Sequence, residues 1–213
     1  MRFDSLLEAV GDEPVFGTGL LLAGDVDPSD VRRQLSRWVE TGRIHQLRRG
    51  LYALAPPFQK VRPHPFLVAN RLAPGSYVSL QSALAHYGLI PEYVPVTTSV
   101  GAGRPASWDT PLGRFELRHL QRGWVTGFRP VPLDALQEAL LAVPEKALLD
   151  LVYLHPAADD PSYLDELRLQ NLDTLDLAEL DRLARASGKA KLRRAADRIA
   201  GLAEAERAEY QPL

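Results

Sequence analysis

The residues best placed to do chemistry share one face of a short helical stretch. They are Arg32, Arg33, Ser36 and Arg37, with Ser29 one turn earlier. Arginine pairs bidentately with guanine edges and with phosphates, and hydroxyls also hold phosphates. Further on, Arg48 and Arg49 stand with Gly50 between the apolar arms Ile44–Leu47 and Leu51–Leu54. That pattern predicts a hairpin whose turn carries two cations and a glycine for a positive φ. The combination is suited to double-stranded DNA: base edges read from the helix, and phosphate or a narrow minor groove touched by the hairpin.

Other reactive residue types do not assemble so readily. The histidines, at 45, 64, 86, 119 and 155, show no HExxH or His-x-His spacing. Asp109, Glu116 and Arg118 faintly resemble the acidic pair plus cation of metal-dependent nucleases. The cation there is usually Lys, however, and an alternating strand points charges outward anyway. Gly101-Ala102-Gly103-Arg104 lacks either phosphate-loop pattern and reads as a turn. Glu145 suits the first turn of a helix, and Lys146 can pair with Asp150 four residues on. Cysteine is absent, which excludes disulfides, thiolate metal sites and thiol catalysis. The expectation is a protein that is not an enzyme, with no catalytic residue, metal or cofactor. Lys189, Lys191, Arg193 and Arg194 form a second basic surface, read as a wider DNA footprint, a contact for an acidic partner, or a solvated helix end.

The elements that must position the arginines follow from periodicity. Val31, Leu35, Trp38 and Val39 fall on one stripe of a helix opened by Pro28, capped by Asp27 and ended near Gly42. Trp38 on that stripe belongs to a core, and Tyr52 can pack either way. Residues 3–10 carry Phe3, Leu6, Leu7 and Val10 at helical spacing, whereas GLLLAG at 19–24 is too short to type. Two short helices ahead of residue 28 would complete a helix-turn-helix, with the hairpin as its wing. Charge agrees. Residues 1–30 set Arg2 against seven acids, a net −6, whereas residues 31–62 set eight cations against Glu40, a net +7. The whole chain carries only −2, so any nucleic-acid surface must be local.

Prolines at 56, 57, 63 and 65 stiffen the next stretch. The expected division is a winged helix domain over 1–56, a proline-rich linker over 57–65 and an α/β domain over 66–213. In that last part helices are expected at 66–72, after Ser79, from Pro144, after Pro161, and over 176–187 and 189–207. Strands at 94–100, 114–120 and 124–129 suggest a small antiparallel sheet. The fold class is α+β: an N-terminal winged helix-turn-helix, then an α/β domain with a small antiparallel sheet and C-terminal helices. The acidic start and the lack of an apolar run of about 20 residues point to a soluble, cytoplasmic protein without a membrane partner.

Four phrases in register resemble AbiEi-type antitoxins: VRRQLSRWVETGRIHQLRRGLYAL, YVSLQSALAHYGLIPE, TPLGRFELRHL and VPEKALLDLVYL, over roughly residues 3–200. The resemblance implies a winged helix domain that binds inverted repeats in its own promoter and represses it. It also implies a C-terminal domain that counters a co-encoded nucleotidyltransferase-like toxin, the type IV toxin–antitoxin arrangement. DNA contacts carry over to Arg32, Arg33, Ser36 and Arg37 in the helix and Arg48 and Arg49 in the wing. No catalytic residue carries over. The segment FGTGLLLAGDVD departs from the family's usual polar second helix. Alternatives are a stand-alone winged helix regulator, a protein-interaction module without a toxin, and a metal-dependent nuclease built on Asp109 and Glu116.

Overall fold

A computed structural model describes residues 2–22, 26–156, 158 and 160–209. The first helix, α1 (Phe3–Val10), turns Leu6 and Val10 inward. After it come the two-residue strand β1 (Phe16–Gly17) and a 3-10 turn over Thr18–Leu22. Most of GLLLAG is therefore this turn, and residues 23–25 lie outside the described ones. Helix α2 (Pro28–Glu40) has Pro at its start and Asp27 as its cap, as the sequence predicts. Strands β2 (Ile44–Arg48) and β3 (Leu51–Leu54) form the hairpin. Because β1 pairs with the far side of β3, the three make an antiparallel sheet in the order β1-β3-β2.

The larger part follows α3 (Pro65–Leu72). It comprises β4 (Ser76–Val78), α4 (Leu80–His86), β5 (Val96–Gly101), β6 (Ala106–Thr110), β7 (Gly113–His119), β8 (Phe128–Pro132) and β9 (Glu138–Ala142). Helices α5 (Pro144–Leu154), α6 (Pro161–Glu166), α7 (Leu177–Ala186) and α8 (Ala190–Glu209) complete the chain. The fold is thus α+β, with eight α-helices and two sheets among the described residues.

The second sheet corrects the expected small antiparallel one. It has six strands in the order β6-β7-β5-β4-β9-β8, and two of its pairings, β5 with β7 and β4 with β9, are parallel. Three of its strands gave no clear signal. Strand β4 is only three residues long, β6 is mostly polar, and the EALLA of β9 reads equally as helix. The expected strand at 124–129 also shifts. Trp124 ends a 3-10 turn and is buried, and extended structure resumes only at Phe128. Gly127, at φ +72°, breaks the run between them.

Two apolar cores result. The smaller joins Leu6, Phe16, Val31, Leu35, Trp38, Ile44 and Tyr52. The larger fills the space between the six-stranded sheet and α3, α4, α5, α7 and α8, and takes in Val15, Leu47, Leu51 and Ala53 from the first 56 residues. The hairpin thus buries one face in each core. The proline-rich stretch is held at its far end, where the His64 N–H donates to Gln137 Oε1 at 2.8 Å and the Gln137 amide donates to the Arg62 carbonyl at 3.1 Å. No helix among the described residues is long and apolar enough to cross a membrane.

Candidate nucleic-acid interface

Helix α2 begins with a cap. Asp27 Oδ1 accepts both the N–H and the hydroxyl of Ser29, each at 2.7 Å. These bonds hold the Asp27 carboxyl below its usual range. Ser29 therefore spends its proton locally, though its oxygen still accepts. The apolar stripe then anchors the helix: Val31, Leu35 and Trp38 are buried, and Trp38 meets the Phe3 ring edge-on at 5.3 Å between centroids. With that side down, Arg32, Arg33, Ser36 and Arg37 all face solvent. Arg33 lies 3.3 Å from Asp30, a pair more than half exposed on both sides. Such a pair is screened by water and holds the guanidinium weakly. Arg43, also exposed, lies 4.9 Å from the centre of the Phe3 ring.

The hairpin separates its two arginines. The turn proper is Arg49–Gly50, with Gly50 at φ +79° and its carbonyl accepting from the Thr18 N–H at 3.0 Å. A bulge between Gln46 and Arg48 shifts the register just before it. Arg49 is exposed at the tip. Arg48 folds back instead: its Nη2 donates to the carbonyl of Arg71, in the last turn of α3, at 3.4 Å, and its Nε is buried without a partner. Sequence alone could not separate the two. The deciding group, the end of α3, arrives over twenty residues later.

The C-terminal cations are similarly divided. Lys191 Nζ donates to the carbonyl of His155, and Lys189 stands 5.0 Å from the Tyr153 ring centre. Arg193 and Arg194 are exposed but line a shallow groove with Asp181 and Asp197. Asp109 and Glu116 sit on neighbouring strands, each beside an arginine, with Arg114 at 3.5 Å and Arg118 at 3.9 Å. Among the described residues no three His, Cys, Asp or Glu side chains cluster closely enough to hold a metal.

The most heavily buried polar cluster was only half visible in the sequence. Lys146 and Asp150 do pair along α5, but inside the larger core, where both side chains are fully enclosed. Asp150 Oδ2 accepts from the hydroxyls of Tyr77, at 2.9 Å, and Ser79, at 2.8 Å. Lys146 Nζ also donates to the Tyr77 hydroxyl at 2.8 Å and lies 4.3 Å from the centre of the Trp124 ring. Burial pushes the Asp150 carboxyl up and the Lys146 ammonium down, and their mutual attraction opposes both shifts. A Cβ on Gly127 would come within 3.0 Å of Lys146 Cγ, so glycine there makes room for the lysine stem. Sealed from solvent, this cluster ties α5 to β4. Glu145 extends the tie, accepting from the Asp176 N–H at 2.8 Å just ahead of α7.

These elements define an α+β protein whose exposed cations in the described N-terminal part concentrate along one helix and a hairpin tip. No family profile and no curated protein matches the chain. Among solved structures, the RV2827C protein from Mycobacterium tuberculosis is similar, at 19% identity and a TM-score of 0.52, over 99% of this chain and 82% of that one. At that identity the likeness speaks for the fold.

Proposed function

We propose that the chain is a sequence-specific DNA-binding protein that lays α2 in the major groove and sets the β2–β3 turn against the flanking backbone. The observation that carries this reading is the outward row Arg32, Arg33, Ser36 and Arg37, left exposed because Val31, Leu35 and Trp38 fix the opposite face in the core. The order of elements supports it: helix, short strand, 3-10 turn, helix and hairpin, with β1 completing the sheet, would suit a winged helix plan with a 3-10 turn in place of the second helix. Arg49 at the tip is then the wing's phosphate contact, and Arg48 belongs to the scaffold.

Together with the AbiEi-type phrases, the site suggests an antitoxin that represses its own operon by binding inverted repeats in the promoter. The six-stranded unit would then counter a nucleotidyltransferase-like toxin. Gel shifts on the fragment upstream of the gene test the DNA part. Binding there should be at least about a thousandfold tighter than to random duplex, the lower end for specific recognition. Equal affinity for both would refute it. Co-purification with a neighbouring nucleotidyltransferase-like product tests the second part separately.

A further inference from the structure

An open cleft of about 550 Å³ lies apart from the residues of that proposed interface. It lies between the stretch leading into α3, helix α4, the loop at 91–95 and the edge of β7. Its size falls within the range of small-ligand sites. Three rings run along its wall, with His64 and Phe66 5.0 Å apart and Phe66 and His86 5.5 Å apart. At its mouth Tyr93 is 88% exposed, an unusual position for a large ring that nothing covers.

The polar groups around these rings are mostly donors. His64 Nδ1 accepts from the Phe66 N–H at 3.1 Å, so the neutral imidazole carries its proton on Nε2 as a donor. Partial burial and the neighbouring His86 hold His64 below its ordinary value, which favours that neutral form. Arg62 is exposed and forms no salt bridge among the described residues. Arg114 keeps only a loose, exposed contact with Asp109 at 3.5 Å. The one carboxylate lining the cleft, Glu92, is bound by Arg168 at 2.6 and 2.9 Å, which offsets its charge. Rings along the wall and guanidiniums at the rim suit a flat molecule carrying one anionic group, since arginine grips carboxylate and phosphate with paired hydrogen bonds.

We infer that this cleft is a binding site for a small aromatic anion, independent of the DNA interface. Calorimetric titration of the full chain tests it with four probes: salicylate (ring plus carboxylate), adenosine monophosphate (ring plus phosphate), inorganic phosphate alone and benzyl alcohol alone. Salicylate or the nucleotide should bind at least about tenfold more tightly than either phosphate or benzyl alcohol, and which of the two wins identifies the anionic group. Arg62→Ala with Arg114→Ala should weaken that binding about tenfold or more, and Tyr93→Ala, at an exposed position, should weaken it severalfold without lowering the melting temperature. Failure of every probe to bind at about 1 mM would overturn the inference. So would binding unchanged in the double arginine variant, or phosphate binding as tightly as the nucleotide and salicylate.

Discussion

Arg48 and Arg49 are adjacent, identical in chemistry and differently placed. The Arg48 guanidinium reaches the end of α3, whereas Arg49 stands free at the turn. Arg49→Ala should therefore weaken binding to all duplexes alike and reduce the salt slope by about one. Arg48→Ala should leave DNA affinity unchanged and cost about 1 kcal/mol of stability, read by urea denaturation. Arg33→Ala or Arg37→Ala should cost about 1–3 kcal/mol of discrimination between operator and random sequence if either reads a base. Inside the larger core the arithmetic differs. Asp150→Asn leaves the Lys146 ammonium buried without its counter-charge and should destabilise by about 3–5 kcal/mol. Lys146→Met combined with Asp150→Leu removes both charges and should recover much of that loss, as measured by the denaturation midpoint. The i, i+4 spacing made this pair readable from the sequence. Its burial was not readable, because Tyr77 and Ser79 are some seventy residues away.

Elements with a repeating pattern were legible, and short or irregular ones were not. Helix α2 shows its buried stripe, proline start and aspartate cap in a single turn-by-turn repeat, and it folds within those limits. The 3-10 turn at Thr18–Leu22 and the three residues of β4 are too short for any period to register. Pairing direction is also beyond local sequence: β5 lies parallel to β7 because β6 makes the return pass at the sheet edge. Helix α3 carries a titrating cap, since the His64 ring accepts from the Phe66 N–H. Folded His64 lies below its ordinary value, chiefly through burial and then through His86, with Asp134 pulling the other way. The unfolded chain therefore takes up the proton first. The stability His64 provides is present above about pH 6.5 and declines as pH falls below it. Melting temperature should drop as pH falls below about 6.5, and His64→Asn, which keeps a cap acceptor, should flatten that slope. An unchanged slope would assign the dependence to other groups.

At the scale of the whole molecule, α2 and the β2–β3 hairpin are not a detachable head. Leu47 and Leu51 of the hairpin and Val15 before β1 pack into the larger core, while Trp38 and Ile44 close the smaller one. This shared packing predicts a single cooperative unfolding transition, with fluorescence and far-ultraviolet dichroism coinciding. Two separated transitions would show the halves to be independent. It also fixes α2 relative to the six-stranded sheet through β2 and β3, so the outward arginines are presented by a rigid frame. The local charge contrast that singled out residues 31–62 survives folding because the apolar stripe of α2 leaves its arginines nowhere to go but out. The most direct test of the central claim is a gel shift on the upstream fragment, titrated with salt and compared with random duplex. The expected result is selective binding whose affinity falls log-linearly with salt, by about 0.9 per phosphate contacted, and whose selectivity is lost in Arg33→Ala with Arg37→Ala. Equal binding to both duplexes, or selectivity untouched by removing both arginines, would contradict it.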